Sequence, residues 1–301
     1  MTTNNWKLTL AYDGTAFHGW QVQPGGKTIQ GTLSDAIAIV AAERVLPQGA
    51  GRTDAGVHAA GQVASFALAA PIPADNFLRA LNRVLPSAIR VLSAEKTAPD
   101  FHARHSSVSK VYRYRVFHGP VCSPFLAPYV ACSRWPLDME AMQRAAKEIL
   151  GEHDFTSFAA SDPDRAARLA DENDAGTSQS AASDLGAPRS PSVSNIRRID
   201  ESQWSCEPLC GASALDVRAE LNLRAHDSEQ DRESCAQIFT YTIRGNGFLH
   251  HMVRNLVGTF LEVGRGRIAA ADIPRILNGR DRTLAGPTAP ANGLCLMKVL
   301  Y

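Results

Sequence analysis

Asp54 is the residue best placed to do chemistry in this chain. It lies between Gly51 and Gly56, two residues after Arg52, in the run Gly51-Arg-Thr-Asp-Ala-Gly-Val-His-Ala59. An aspartate among glycines is most often a turn former, its side chain bonded to its own backbone. The same carboxylate is a competent nucleophile when it is ionised, desolvated and correctly aimed. Ionisation inside a closed pocket demands a positive partner, because burial otherwise drives the group to its neutral form. Arg254 stands in Met252-Val-Arg-Asn-Leu-Val257. Its apolar neighbours Phe248, Met252, Val253, Leu256 and Val257 are too many for an exposed helix.

Other residues invite chemistry less strongly. Tyr112 and Tyr114 alternate with Arg113 and Arg115, so on a strand the tyrosines face one side and the arginines the other. The neighbours His250 and His251, read as part of a helix over about 248 to 262, point about 100° apart and suit metal chelation poorly. Gly25-Gly-Lys-Thr28 looks like the end of a phosphate-binding loop. The first glycine of that motif would fall at Gln21 and no strong strand precedes it, which excludes nucleotide hydrolysis. Cys206, Cys210, His226 and Cys235 match no familiar zinc spacing, so no metal is expected.

The elements that position these residues follow from periodicity. Trp6 to Tyr12 alternates as a strand, Gln30 to Leu46 has helical spacing through Leu33, Ile37, Val40 and Ala41, and the Asp54 loop runs into a strand at about 61 to 68. A helix at about 75 to 84 and a strand at about 89 to 95 complete a βαβαβ first half. Val111 to Phe117 opens the second half as a strand, and a helix at about 138 to 150 is introduced by Pro136 and closed by Gly151. Strands at about 195 to 201, 237 to 244 and 294 to 300 follow, with helices at about 248 to 262 and 272 to 278. The fold class expected is α+β, with two ferredoxin-like split-βαβ halves. Residues 1–105 form the first half and 106–301 the second.

Composition sets outer bounds. The chain has 301 residues, 45% apolar and 20% charged, the profile of an ordinary globular protein with ample core. No run approaches the roughly 18 apolar residues of a membrane span, and the first residues are no signal peptide, so a cytoplasmic, non-membrane protein is expected. Its six cysteines show no disulfide framework. The net charge of +1 is an average over unlike parts: residues 161 to 184 carry −4 and residues 226 to 233 carry −3, leaving +8 on the rest. Residues 161–194, rich in Ala, Ser, Asp and Gly, cannot bury enough surface to offset their chain entropy and read as a disordered insertion. A second insertion is expected at 205–236, where Leu215, Val217, Leu221 and Leu223 alternate as in an extra hairpin.

The run at 51 to 59 closely resembles the signature of the TruA-type tRNA pseudouridine synthases. Companion stretches occur in order at Ala11 to Gln21, Thr28 to Leu33, Asp100-Phe-His-Ala-Arg104, Lys110-Val-Tyr-Arg-Tyr114, Phe248 to Asn255 and Pro290-Ala-Asn-Gly-Leu294. Only about 159 to 194 and 204 to 236 fall outside the resemblance. It implies one continuous, mostly antiparallel sheet with helices packed on it and a central cleft, a homodimer, and an isomerase acting on uridines 38, 39 and 40 of the tRNA anticodon arm by base flipping. It further implies Asp54 as nucleophile, Arg254 as its ion-pair partner, Tyr112 as the ring that stacks on uracil and transfers a proton, and Leu294 as an apolar wall. Arg52 is read as a phosphate contact. His58, Arg104 and Lys110 are taken as RNA-contact residues, and His18, His102 and His105 as RNA-contact or structural. The isomerisation involves no redox change, so neither metal nor organic cofactor is expected. Two readings compete: a non-catalytic RNA-binding protein on the same fold, and the same chemistry at other RNA sites.

Overall fold

Alternation of Trp6, Leu8, Leu10 and Tyr12, all buried, makes β1 (Asn4–Tyr12) the central strand of the first half. In the computed structural model, which describes residues 3–160, 194–209 and 236–301, β1 is antiparallel to β3 (His58–Leu68) on one side and to β4 (Ile89–Thr97) on the other. Two helices connect these strands. Helix α1 (Ile29–Ala41) is capped by Thr28, whose side chain accepts from the Gly31 amide, and α2 (Ala74–Val84) packs on β4 and α1. The expected extension of α1 to Leu46 does not form, because Ala42 turns left-handed at φ 53° and releases the chain into the short strand β2 (Gln48–Gly49).

The second half contains β5 (Ser109–His118), β6 (Ala131–Ser133), α3 (Met139–Lys147), β7 (Gly151–Asp154), β8 (Ile196–Pro208), β9 (Gln237–Gly245), α4 (Met252–Gly264), α5 (Ile273–Gly279) and β10 (Leu294–Leu300). All the described strands join one sheet in the order β4-β1-β3-β10-β5-β9-β8-β7, with β2 on β3 and β6 on β5. Among the described strands only β3–β10 and β5–β6 are parallel. The α+β class with a continuous, mostly antiparallel sheet is therefore as expected.

The last strand joins the halves. β10 lies between β3 and β5, parallel to the first and antiparallel to the second. One apolar core runs through both halves, from Trp6 and Phe77, 4.8 Å apart between ring centroids, to Trp204, Tyr241 and Phe260 beneath α4. Helix α4 is buried along almost its whole length, which explains its apolar composition.

Further boundaries differ from the sequence reading. β8 continues to Pro208, past the expected end at 201, because Trp204 packs on Tyr241 and residues 205 to 208 pair with β9. Helix α4 begins at Met252 rather than 248, so His250 and His251 precede it. Most of the insertion expected at 161–194, the hairpin around Leu215 to Leu223, and Cys210, His226 and Cys235 lie outside the described residues.

Candidate active site

The loop carrying Asp54 connects β2 to β3 and is held from below by the first motif of the chain. The Trp20 amide donates to the Thr53 carbonyl (2.9 Å), and the Gly56 amide to the Phe17 carbonyl (3.4 Å). The Tyr12 hydroxyl meets Thr53 Oγ1 at 2.8 Å, and Gln62 Nε2 donates to the Gly51 carbonyl at 2.8 Å. Gly19, at φ +84°, lets this support approach: a Cβ there would lie 2.6 Å from the Thr53 oxygen. Such over-determined backbone is what a fixed nucleophile requires.

From the opposite side, Arg254 in the first turn of α4 donates from Nη1 to Asp54 Oδ2 at 2.7 Å. Its Nε is anchored on the Ala289 carbonyl at 2.8 Å, so the guanidinium is fixed at both ends. The two side chains are only 15% and 24% exposed, which shields the pair from solvent screening. The carboxylate also faces the amino end of α4, where the peptide dipoles favour an anion.

His250 and His251 correct the sequence reading. The turn before α4 is not helical: His251 takes a left-handed φ of 58°, which brings the two imidazoles to 3.9 Å between centroids rather than splaying them apart. His251 Nε2 lies 3.3 Å from Asp54 Oδ2, and His250 Nε2 lies 3.7 Å from Oδ1. Burial chiefly holds the His251 pKa below its ordinary value; the attraction of Asp54 opposes this, and His250, Arg254 and Arg282 add to the depression. A left-handed non-glycine residue costs on the order of 1 kcal/mol, a local strain placed directly beside the carboxylate. Nothing local in the sequence marks this turn, because no glycine stands at 251.

Tyr112 points inward from β5, and Phe248 meets its ring edge-on at 5.0 Å. Burial first, then Tyr12, Asp54 and Cys295, push its pKa far up, so the phenol stays protonated at neutral pH. Neighbouring Tyr114 is fully buried and donates to the Pro290 carbonyl at 2.7 Å. Leu294 opens β10 opposite Tyr114 and is buried. Arg52 is exposed on the Asp54 loop.

The three remaining expected residues differ sharply. His58 is buried, its Nδ1 lying 3.1 Å from the Gly14 amide and 3.2 Å from Asp13 Oδ1, and its Nε2 3.1 Å from the Pro128 carbonyl. Lys110 is also buried, with Nζ donating to Ser107 Oγ at 3.1 Å. Desolvation, with Arg104 and Arg197 nearby, lowers its pKa to about 8. Arg104 is exposed on the turn before β5. Arg197, on β8, completes this basic group and was missed by sequence reading, because nothing local links it to a residue on β5.

Comparison with known proteins gives the family. A family model described as tRNA pseudouridine synthase matches residues 9–106 and 145–301. The chain belongs to that family. Its members are isomerases that convert uridine to pseudouridine in tRNA. Among its relatives are tRNA pseudouridine synthase A of Solibacter usitatus, 42% identical with 98% of each chain covered, and that of Limosilactobacillus fermentum, 39% identical over 99% of this chain and 96% of the relative. The protein of the same name from Moorella thermoacetica is 38% identical over 98% of both chains. Tyr112 and Lys110 fall between the two segments matched by the family model, although the pairwise similarity spans nearly the whole chain. Among the described residues no helix is long and apolar enough to cross a membrane.

Proposed function

We propose that this synthase converts uridines 38, 39 and 40 of the tRNA anticodon arm, with Asp54 as nucleophile. The observation that carries the reading is the Asp54–Arg254 pair at 2.7 Å, shielded and fixed from both halves of the sheet. Asp54 attacks C1′ of the flipped nucleoside as the bond from ribose to N1 breaks, the base turns, and C5 then bonds to C1′ as the Asp54–C1′ bond breaks, which regenerates the carboxylate. Arg254 holds and orients the carboxylate through its 2.7 Å contact with Oδ2. Tyr112 stacks on the uracil, and its hydroxyl passes the proton lost from C5 on to N1 of the turned base. Leu294 walls the pocket, and Arg52 holds a phosphate as the nucleotide leaves its stack. Arg104, Lys110 and Arg197 bind the RNA backbone, while His58 acts from beneath by bracing Gly14 and Pro128.

The same reading includes a cytoplasmic setting, halves 1–105 and 106–301 that close on the RNA together, and a homodimer; the exposed Val121, Phe125 and Trp135 offer apolar surface for self-association. Its test is a transcript of tRNA carrying uridine at 38, 39 and 40, incubated with purified protein and mapped by carbodiimide-dependent reverse-transcription stops. Stops at those positions are expected. Binding without conversion would leave a non-catalytic RNA-binding protein, and stops elsewhere would move the target site.

Lys110 gives a prediction with a sign. Its folded pKa is about 8 against an ordinary 10.5, so below pH 8 the folded protein bears the cost of a buried charge. As pH climbs from about 8 towards 10.5 the folded lysine deprotonates first, and its unfavourable contribution to stability is relieved. Lys110→Met should therefore raise the melting temperature at pH 7 yet weaken tRNA binding and reduce the salt slope by about one. Wild-type affinity should also fall as pH rises through about 8, and the variant's should not follow it. Equal salt slopes in both proteins at pH 7 would remove Lys110 from the RNA interface.

A further inference from the structure

The stacked imidazoles and the carboxylate they face meet a second chemical requirement. Asp54, His250 and His251 each offer one ligand atom, all within 4.8 Å of one another, and among the described residues no other three side chains do so. His251 Nε2 lies 3.3 Å from Asp54 Oδ2 and His250 Nε2 lies 3.7 Å from Asp54 Oδ1, one imidazole against each carboxylate oxygen, at separations near those of neighbouring ligands around zinc. With metal–ligand bonds of about 2.0–2.2 Å, the edge of a tetrahedron around zinc is about 3.3–3.6 Å. The side chains are 24–30% exposed, so a fourth ligand can reach the ion from solvent. Arg254 remains on Asp54 Oδ2, the outer partner that a ligating carboxylate commonly has.

We propose that Asp54, His250 and His251 form a binding site for a divalent transition ion, Zn2+ foremost, and that its occupancy silences the enzyme. The ion has no part in isomerisation. It takes the lone pairs of the nucleophile and fills the space that the flipped nucleotide needs, so metal and substrate exclude one another. The inhibitory part rests on Asp54 being the nucleophile, whereas binding itself does not.

The test uses full-length protein freed of metal by chelator dialysis and titrated with Co2+ as a spectroscopic stand-in for Zn2+. Wild type should bind one equivalent with visible bands of a tetrahedral nitrogen and oxygen site, without thiolate charge-transfer absorption, and Zn2+ should displace the Co2+. His250→Gln and His251→Gln should each weaken binding by about tenfold or more, and Asp54→Asn likewise. Thermal melts of each variant separate lost ligation from lost folding. In the activity arm, Zn2+ should inhibit wild type reversibly, with EDTA restoring turnover, and should inhibit His251→Gln only at about tenfold higher concentration. Unchanged Co2+ affinity in both folded histidine variants, or a spectrum dominated by thiolate bands, overturns the site. If the Co2+ results hold and no pseudouridine forms in any sample, the site stands and the proposed reaction fails.

Discussion

Asp54→Asn is expected to abolish pseudouridine formation while leaving tRNA binding within about tenfold of wild type, since phosphate contacts supply most of the affinity. Asparagine preserves shape and keeps an oxygen for the Arg254 guanidinium, but it is neutral and a far weaker nucleophile. A covalent step that loses its nucleophile should slow by at least about a hundredfold. The loop should stay in place, because its anchors are Trp20, Tyr12 and Gln62 rather than the carboxylate. Single-turnover rates and filter-binding affinity measured on one transcript decide the matter. Turnover above roughly one per cent of wild type would remove Asp54 from the role of nucleophile.

Gly258→Ala should be the most destabilising single-methyl change in α4, against the ordinary trend. Alanine in a helix interior normally gains about 1 kcal/mol over glycine. Here a Cβ would lie 1.6 Å from the Pro287 carbonyl oxygen, and that oxygen is backbone, so the helix and the 286–289 loop must separate. The loop has little freedom to give way, because Arg282 donates to the Gly286 carbonyl (2.9 Å) and the Gly286 amide donates to Thr259 Oγ1 (2.9 Å). Overpacking of this kind costs about 3 kcal/mol or more, which in a chain of this size lowers Tm by several degrees. Ala289, which anchors Arg254, moves with the loop. Activity should therefore fall further than the folded fraction does, in a calorimetric melt paired with turnover at a temperature where the variant stays folded. A variant as stable as wild type would show that the contact relaxes freely.

How much of this was legible depended on where each signal lay. The strands β1, β3 and β5 were readable because their alternation is local, and the Asp54 loop because its glycines and carboxylate are contiguous. The Asp54–Arg254 pair joins residues 200 positions apart, and only the resemblance connected them. The histidine pair was misread for a definite reason: Phe248 and Leu249 extend the apolar spacing of α4 backwards, while the left-handed turn at His251 carries no glycine to mark it. Strands β2, β6 and β7 are two to four residues long, too short for any period to show. Arg104 and Lys110 were read as RNA contacts, but Arg197 was not joined to them, since β8 comes near β5 only through the intervening β9 and no strand names its neighbours in its own sequence.

The placement of β10 also bears on how the protein is made. Synthesis delivers β3 and β5 long before residues 294 to 300, and until then the His58–Ala59 end of β3 and the Ser109–Tyr114 stretch of β5 lack the strand that will separate and join them. A nascent chain therefore carries two open edges whose backbone groups invite foreign strands. Strand β3, which follows the Asp54 loop, and β5 belong to one sheet only once β10 lies between them. Any interruption of translation upstream of that strand yields a product without a joined cleft, which couples the appearance of activity to the synthesis of the strand at the seam.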